Sequence, residues 1–405
     1  MKKNNFLMGI LLFAVALLAA CSTPTQATLT GDQKTQVAQT VTSFALQNQP
    51  TATITSLPTS TNTPTALPSS TPTPSPTPSS IGPDNFDVDV NPLTGLKVSD
   101  PNLLNRRPVI IKVSNYPVEG RPHAGLSSAD IVWEYYIGAG SNRFAALYYG
   151  QDNDHIGPVR SVRLVDPQLA RLYQAVLGYS GGNQENVLPT VYELLGNRTM
   201  AEGICPGICD DGHHWVTTVF GDSAAMTRVF QERGVDEGIK PDLSGMLFDT
   251  TVPNGGQDGK AAWIKYTDYT TSEWVYDSAS GKYLRWTDDP TQGYIMIPLV
   301  DRNTDQQLAF SNVIVLNATY TEYTTVLHDI NVRGNTEGQK ATVFRDGQAF
   351  EVLWKATNPE KPIQFFDQNG NLFPLKPGNS WMALMGTSSS ETVDQGEWIF
   401  TFSIP

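Results

Sequence analysis

Basic residues, cysteine and histidine are all scarce in this sequence. Lysine and arginine together number 27 against 40 acidic residues, a formal net charge of −13 over 405 residues. Lys2 and Lys3 are the only uncompensated charges before residue 83, because Asp32 and Lys34 cancel, so the rest of the chain carries −15. Such an acidic body excludes nucleic acid as a partner and argues against capturing anionic lipid or polymer by bulk attraction; an anionic ligand needs a local basic pocket. Neither an HExxH pair nor a glycine-rich phosphate loop is present, and after the first twenty residues no apolar run reaches membrane length.

What is present begins with Lys2 and Lys3, an apolar run from Phe6 to Ala20, and Cys21. A run this short, after a basic start and ending in small residues, reads as a cleaved export signal over 1–20. Leu18-Ala19-Ala20-Cys21 resembles the lipobox of bacterial lipoproteins. That resemblance implies a lipidated Cys21, a membrane anchor, and an extracytoplasmic location. Each buried methylene of such a lipid contributes about 0.8 kcal/mol, so a multiply acylated cysteine holds durably. Residues 21–82 then read as a disordered tether, because "PTATITSLPTSTNTPTALPSSTPTPSPTPSS" (50–80) is nearly all Thr, Ser and Pro and cannot offset its ordering entropy by burying apolar surface. Its reach lies between about 45 and about 190 Å, depending on how extended it is.

The remainder is longer than one core usually fills, which predicts two domains. Residues 83–248 alternate strand-like and helix-like signals and predict an α/β (or α+β) sandwich. "RPVIIKVSN", "ADIVWEYYIG" and "NRFAALYYG" read as strands, and "AVLGYSGG" as a fourth. "DPQLARLYQ" reads as a helix capped by Asp166 with Pro167 at its start, "NVLPTVYELLG" as a second, and "GDSAAMTRVFQERG" as a third, capped by Asp222 or Ser223. Residues 260–405 predict an all-β domain, with hairpins at "SEWVYDSASGKYLRW" and "ATVFRDGQAFEVLWKA". The boundary falls in the Gly- and Pro-rich stretch Asp249 to Lys260.

"NPLTGL", "NRRPVIIKVSN", "RPHAGLSSADIVWEYYIGAGSNRF" and "IGPVRSVR" follow one another in an order that resembles the YerB-like bacterial lipoproteins. In the second half "YDSASGKYLRW", "NVIVL", "FRDGQ", "LWK" and "PGNSWMAL" extend the resemblance to nearly everything after residue 90. It implies a two-domain envelope protein of a family with no assigned activity. The chain departs from the family at His213-His214-Trp215, where a Pro-His-Asn-like step is expected, which makes His214 the position matching the family's histidine.

"HIGPVRSVRLVD" carries the leading candidates. Arg160 and Arg163 stand three apart beside the helix start at Asp166 and Pro167, so two guanidiniums and free helix N–H groups form an anion site for phosphate or carboxylate; the bland alternative is a pair of structural salt bridges. Arg121 and His123 join them as pocket candidates. Asp130 and Glu134, four apart on one strand face, are about 13 Å apart and cannot share one ion. The order of motifs is also similar to LytR-CpsA-Psr phosphotransferases, in which the matching arginines hold a lipid pyrophosphate. The acidic-arginine step of those enzymes is missing at "KVSNYPVEG", and a divalent metal enters only under that reading. Ser180 in "GYSGG" would need His214 or His155 as its base. Among Trp263, Trp274, Trp286, Trp354, Trp381 and Trp398, one or two left outside the core would make a glycan-stacking platform.

"ICPGICDDGHHW" (204–215) holds the remaining cysteines. Cys205 and Cys209, brought together by a Pro-Gly turn outside the cytoplasm, are expected to form a disulfide; zinc with His213 and His214, or free thiols, are the alternatives. The reading is thus an envelope lipoprotein, with no resident metal or cofactor, whose tethered part binds an anionic or glycan cell-wall component. A wall-polymer phosphotransferase or hydrolase, and a structural adaptor without a pocket, are the other classes.

Overall fold

The structure, a computed structural model, describes residues 80–212, 217–235 and 240–404. The signal, Cys21, most of the tether and His214 lie outside the described residues.

Three strands open the fold: β1 (Val109–Ser114), β2 (Ile131–Gly138) and β3 (Ser141–Tyr148). Helix α1 (Val165–Leu172) leads to β4 (Val176–Tyr179), α2 (Val187–Leu195) to β5 (Thr199–Ala201), and a hairpin of β6 (Ile208–Asp210) and β7 (Val219–Gly221) precedes α3 (Ser223–Glu232). Asp222 caps α3 as its sequence predicts, accepting from the Ala225 N–H at 2.8 Å. Asp166 does not cap α1. The helix starts two residues earlier than expected, at Val165, and the Asp166 side chain turns back to accept the Arg163 N–H at 2.6 Å.

The second half is strand throughout: β8 (Gln257–Asp258), β9 (Ala261–Thr267), β10 (Thr270–Asp277), β11 (Lys282–Asp289), β12 (Ile295–Pro298), β13 (Ala309–Phe310), β14 (Asn312–Thr324), β15 (Leu327–Asn331), β16 (Gln339–Arg345), β17 (Gln348–Lys355), β18 (Gln364–Phe366), β19 (Ser380–Gly386), β20 (Ser390–Asp394) and β21 (Glu397–Thr401). The Asp-Gly turn between β16 and β17 holds Asp346 at φ 54° and Gly347 at φ 75°, the left-handed pair that a two-residue hairpin turn requires.

These strands form a twelve-stranded sheet, in the order β8-β17-β16-β14-β19-β2-β3-β1-β4-β5 with β15 and β18 paired at its side, and a seven-stranded sheet, β12-β11-β10-β9-β21-β20 with β13 beside β11. The larger sheet draws on both halves of the chain, because β2 runs parallel to β19 from Ser380↔Ile131 to Leu384↔Tyr135. Alternation along its strands feeds two cores. Val109, Ile111, Val113 and Phe144 face one that also holds Ile264, Trp274 and Phe400 of the smaller sheet, while Ile110, Trp133, Tyr135 and Leu147 face one that holds Leu169, Leu172 and Val191 of α1 and α2. Burial on both faces explains why "VIIKVS" is almost continuously apolar.

Candidate anion site

The alternation that fills the helix-covered face with apolar side chains also places two cations there. Lys112 of β1 and Arg143 of β3 project to the same side as Ile110, Tyr135 and Leu147. Lys112 is fully buried; its ammonium bonds the Tyr135 hydroxyl and lies 3.3 Å from Asp166 Oδ1, and Tyr135 in turn donates to Asp166. Burial and the guanidiniums of Arg143 and Arg163 outweigh the attraction of Asp166 and pull the Lys112 pKa down to about 7. Folding then releases a proton that the unfolded chain keeps up to about pH 10, so the unfolded state binds more protons above pH 7 and stability rises with pH from 7 towards 9. Urea unfolding at a series of pH values should show that rise, and Lys112→Met should remove it.

Over this buried pair passes the loop before α1. Arg160 N–H donates to the Lys112 carbonyl at 2.9 Å and the Arg160 carbonyl accepts from Ser180 N–H at 3.0 Å, clamping the loop across the C-terminal ends of the parallel strands β1 and β4. In open α/β sheets ligands bind at that edge. The loop brings three guanidiniums within electrostatic reach of one another. Arg143 and Arg163 both donate to the Ser161 carbonyl, at 2.7 and 3.3 Å, and Arg163 also to that of Val162 at 3.0 Å. Neither has a carboxylate within ion-pair distance among the described residues, although Asp166 attracts both from further away, and the Nε of each is buried without a hydrogen-bond acceptor. Burial first, then the charges of Arg163 and Arg160, lower the Arg143 pKa to about 9; burial lowers those of Arg160 and Arg163 as well. Glu202 acts on Arg160 from the end of β5 and takes the Ser180 hydroxyl.

Arg160 and Arg163 lie within electrostatic reach of each other and of Arg143, a residue the sequence reading did not single out. The other candidates lie elsewhere. Arg121 donates through Nε to Asn115 and through Nη1 to the Asp288 carbonyl at 2.6 Å, packs on the Tyr116 ring, and stitches the first half to β11. His123 is wholly buried edge-on to Phe144, and burial together with Arg121 and Arg285 holds its pKa well below the ordinary value. His155 stacks on Phe220, with its ring Nδ1 3.2 Å from Asn303. Gly178 to Gly182 reads Gly-x-Ser-x-Gly, yet no nucleophile elbow forms. The left-handed residue is Gly181, at φ 68°, instead of Ser180, and α2 starts only at Val187. Asp130 accepts from Asn91 and from the Tyr149 and Gly150 N–H groups, and borders a polar cavity of about 370 Å³ that none of these arginines lines.

Cys205 and Cys209 form a disulfide with Cα atoms 5.3 Å apart, at the foot of the β6–β7 hairpin. Closing so short a loop stabilises by about 2 kcal/mol in the chain-entropy treatment. Cys205→Ala with Cys209→Ala should therefore lower the unfolding free energy by about that amount, and reductant should have no further effect on the variant. Equal stability of the two proteins in urea would show that the bridge contributes nothing. Among the described residues no cluster of metal-ligating side chains occurs, and no helix is long and apolar enough to cross a membrane.

The family described as "Protein of unknown function (DUF3048) N-terminal domain" matches residues 93–200, and its C-terminal domain matches residues 262–382. The curated protein "Putative lipoprotein YerB" of Bacillus subtilis is 25% identical over 326 residues, covering 76% of this chain and 89% of that protein. The crystal structure of YerB protein from Bacillus subtilis matches with a TM-score of 0.59 at 23% identity, over 73% of this chain and 96% of that one, which shows a common fold. The resemblance read from the ordered motifs is borne out, as is the β-rich second half.

Proposed function

The chain belongs to this two-domain family of unknown function, and on that premise we propose that it is an envelope lipoprotein, held to the membrane through Cys21, that binds a phosphate or carboxylate group of a cell-wall component at Arg143, Arg160 and Arg163. The observation that carries the reading is the pair Arg143 and Arg163, two guanidiniums that share one backbone carbonyl and have no carboxylate within ion-pair distance among the described residues of a strongly acidic protein. Bringing like charges together at the buried edge of a sheet costs stability, and an anion removes that cost. The lipid anchor rests on the lipobox and on the curated relative's name.

Binding is favoured over phosphoryl transfer or hydrolysis at the same place. Asp166 is engaged by Lys112, Tyr135 and the Arg163 N–H, which leaves Glu202 as the nearby carboxylate for any metal. The test is calorimetric titration of the detergent-solubilised full chain with inorganic pyrophosphate and with anionic wall fragments. Saturable binding that is lost in the variant Arg143→Ala with Arg163→Ala supports the reading; unchanged binding in that variant overturns it.

A further inference from the structure

We propose that the outward face of the seven-stranded sheet is a second binding site, a platform on which Trp263 and Trp286 stack the sugar rings of a neutral glycan. The pairing register places the two indoles. Trp263 of β9 is directly opposite Glu273 of β10, and Glu273 is directly opposite Trp286 of β11, so the three side chains point to one side of the sheet in a single row. Two strand spacings separate the tryptophans by about 10 Å, far enough for each indole to meet a different ring of an extended oligosaccharide. Trp274 and Trp398 of the same sheet are fully buried against the larger one, whereas Trp263 and Trp286 are partly exposed and belong to neither core. Val275, Leu284 and Ile399, also partly exposed and outside both cores, extend the patch around them. Each indole keeps part of its surface open to solvent outside both cores, and two such faces in one row make a surface suited to receiving something flat.

The charge on this face decides what it receives. Glu273, between the indoles, has no hydrogen bond or ion pair among the described residues, and Glu397 lies close enough to raise its pKa together with burial. The two carboxylates beside the indoles are thus acceptors, in a chain of net charge −13. They repel polyanions and suit a ligand that presents hydroxyl and amide N–H donors beside apolar C–H faces, which is the chemistry of an uncharged N-acetylated sugar chain. Lys265, whose ammonium lies 5.6 Å from the Trp263 ring, borders the row. The platform rests on the envelope placement proposed above, where such glycans occur, and is independent of the arginine site.

The probe is a series of soluble chito-oligosaccharides, neutral β-linked N-acetylglucosamine chains, titrated into the detergent-solubilised full chain by calorimetry. Saturable binding that strengthens with chain length is expected. Trp263→Ala and Trp286→Ala should each weaken it about tenfold, the loss usual for truncating an aromatic anchor. Glu273→Gln should weaken it less. Both tryptophan variants should still unfold in one cooperative transition, because neither indole lies in a core, and Trp→Phe replacements should retain part of the affinity. Arg143→Ala with Arg163→Ala should bind the oligosaccharides like the parent, which separates this site from the anion site. Absence of oligosaccharide binding by the parent, equal binding by the double tryptophan variant, or conversion of a dimer to a monomer by that variant would each overturn the proposal.

Discussion

Glu134→Ala is expected to lower the free energy of unfolding by about 3–5 kcal/mol, the cost of leaving a buried charge without its partner. Out of a total of roughly 5–15 kcal/mol this is the largest single-residue loss the fold predicts. Glu134 sits on β2 with no exposed surface and accepts from Arg285 Nη1 at 3.0 Å and Nη2 at 3.2 Å, from Trp381 Nε1 at 2.6 Å, and from Asn142. The Arg285 guanidinium lies over the ring of Trp381, 4.2 Å from its centroid, and also over those of Trp274 and Phe144. Removing the carboxylate leaves that guanidinium in an aromatic enclosure with no counter-charge. The double variant Glu134→Leu with Arg285→Met should recover much of the loss, since apolar groups of similar volume often replace a buried pair without penalty. Because β2, β11 and β19 belong to different halves of the chain, both halves should also unfold in one transition. Urea denaturation followed by tryptophan fluorescence and by far-UV dichroism measures all three; a loss below about 1 kcal/mol, or two separated transitions, would contradict this account.

Arg143→Ala with Arg163→Ala is expected to weaken anion binding about 100-fold, because each charge-assisted hydrogen bond contributes about 1.5 kcal/mol or more. Titration with inorganic pyrophosphate measures it. Stability should move the other way from affinity. Arg143→Met removes a buried cation that faces two others, so it should leave the free energy of unfolding unchanged or raise it, as is usual when a strained binding residue is replaced. A variant both less stable and equal in affinity would identify Arg143 as a structural residue.

Much of the candidate site was legible. Arg160 and Arg163 are separated from the acidic background by their place before a helix start, and the loop does hold them together. Arg143 was missed because "NRFAALYYG" reads as one more buried strand. A signal was nonetheless present. Lys112 in "VIIKVS", Glu134 in "IVWEYYIG" and Arg143 in "SNRFAALY" are lone charges in strands whose other residues are buried on both faces. A charge at such a position must be paired or poised for a ligand, since burial alone would expel it. Arg121 and His123 illustrate the reverse case, in which polar residues in a motif-rich stretch turn out to stitch the two halves together.

By itself the sequence determined whatever depends on composition and local pattern. The strand and helix segments, the Asp222 cap, the Asp346-Gly347 turn and the close approach of Cys205 to Cys209 all follow from neighbours in the chain. Tertiary structure alone decided which distant segments meet. Pairing of β2 with β19 joins residues about 250 positions apart, a choice that period-two patterning cannot specify because every buried strand offers the same backbone ladder. Packing of the smaller sheet on the larger puts Arg285 on Glu134, and the β1–β3 register puts Arg143 diagonally beside Lys112, beneath the loop of Arg160 and Arg163. The same selection buried four tryptophans of the second half and left Trp263 and Trp286 in one row facing outward.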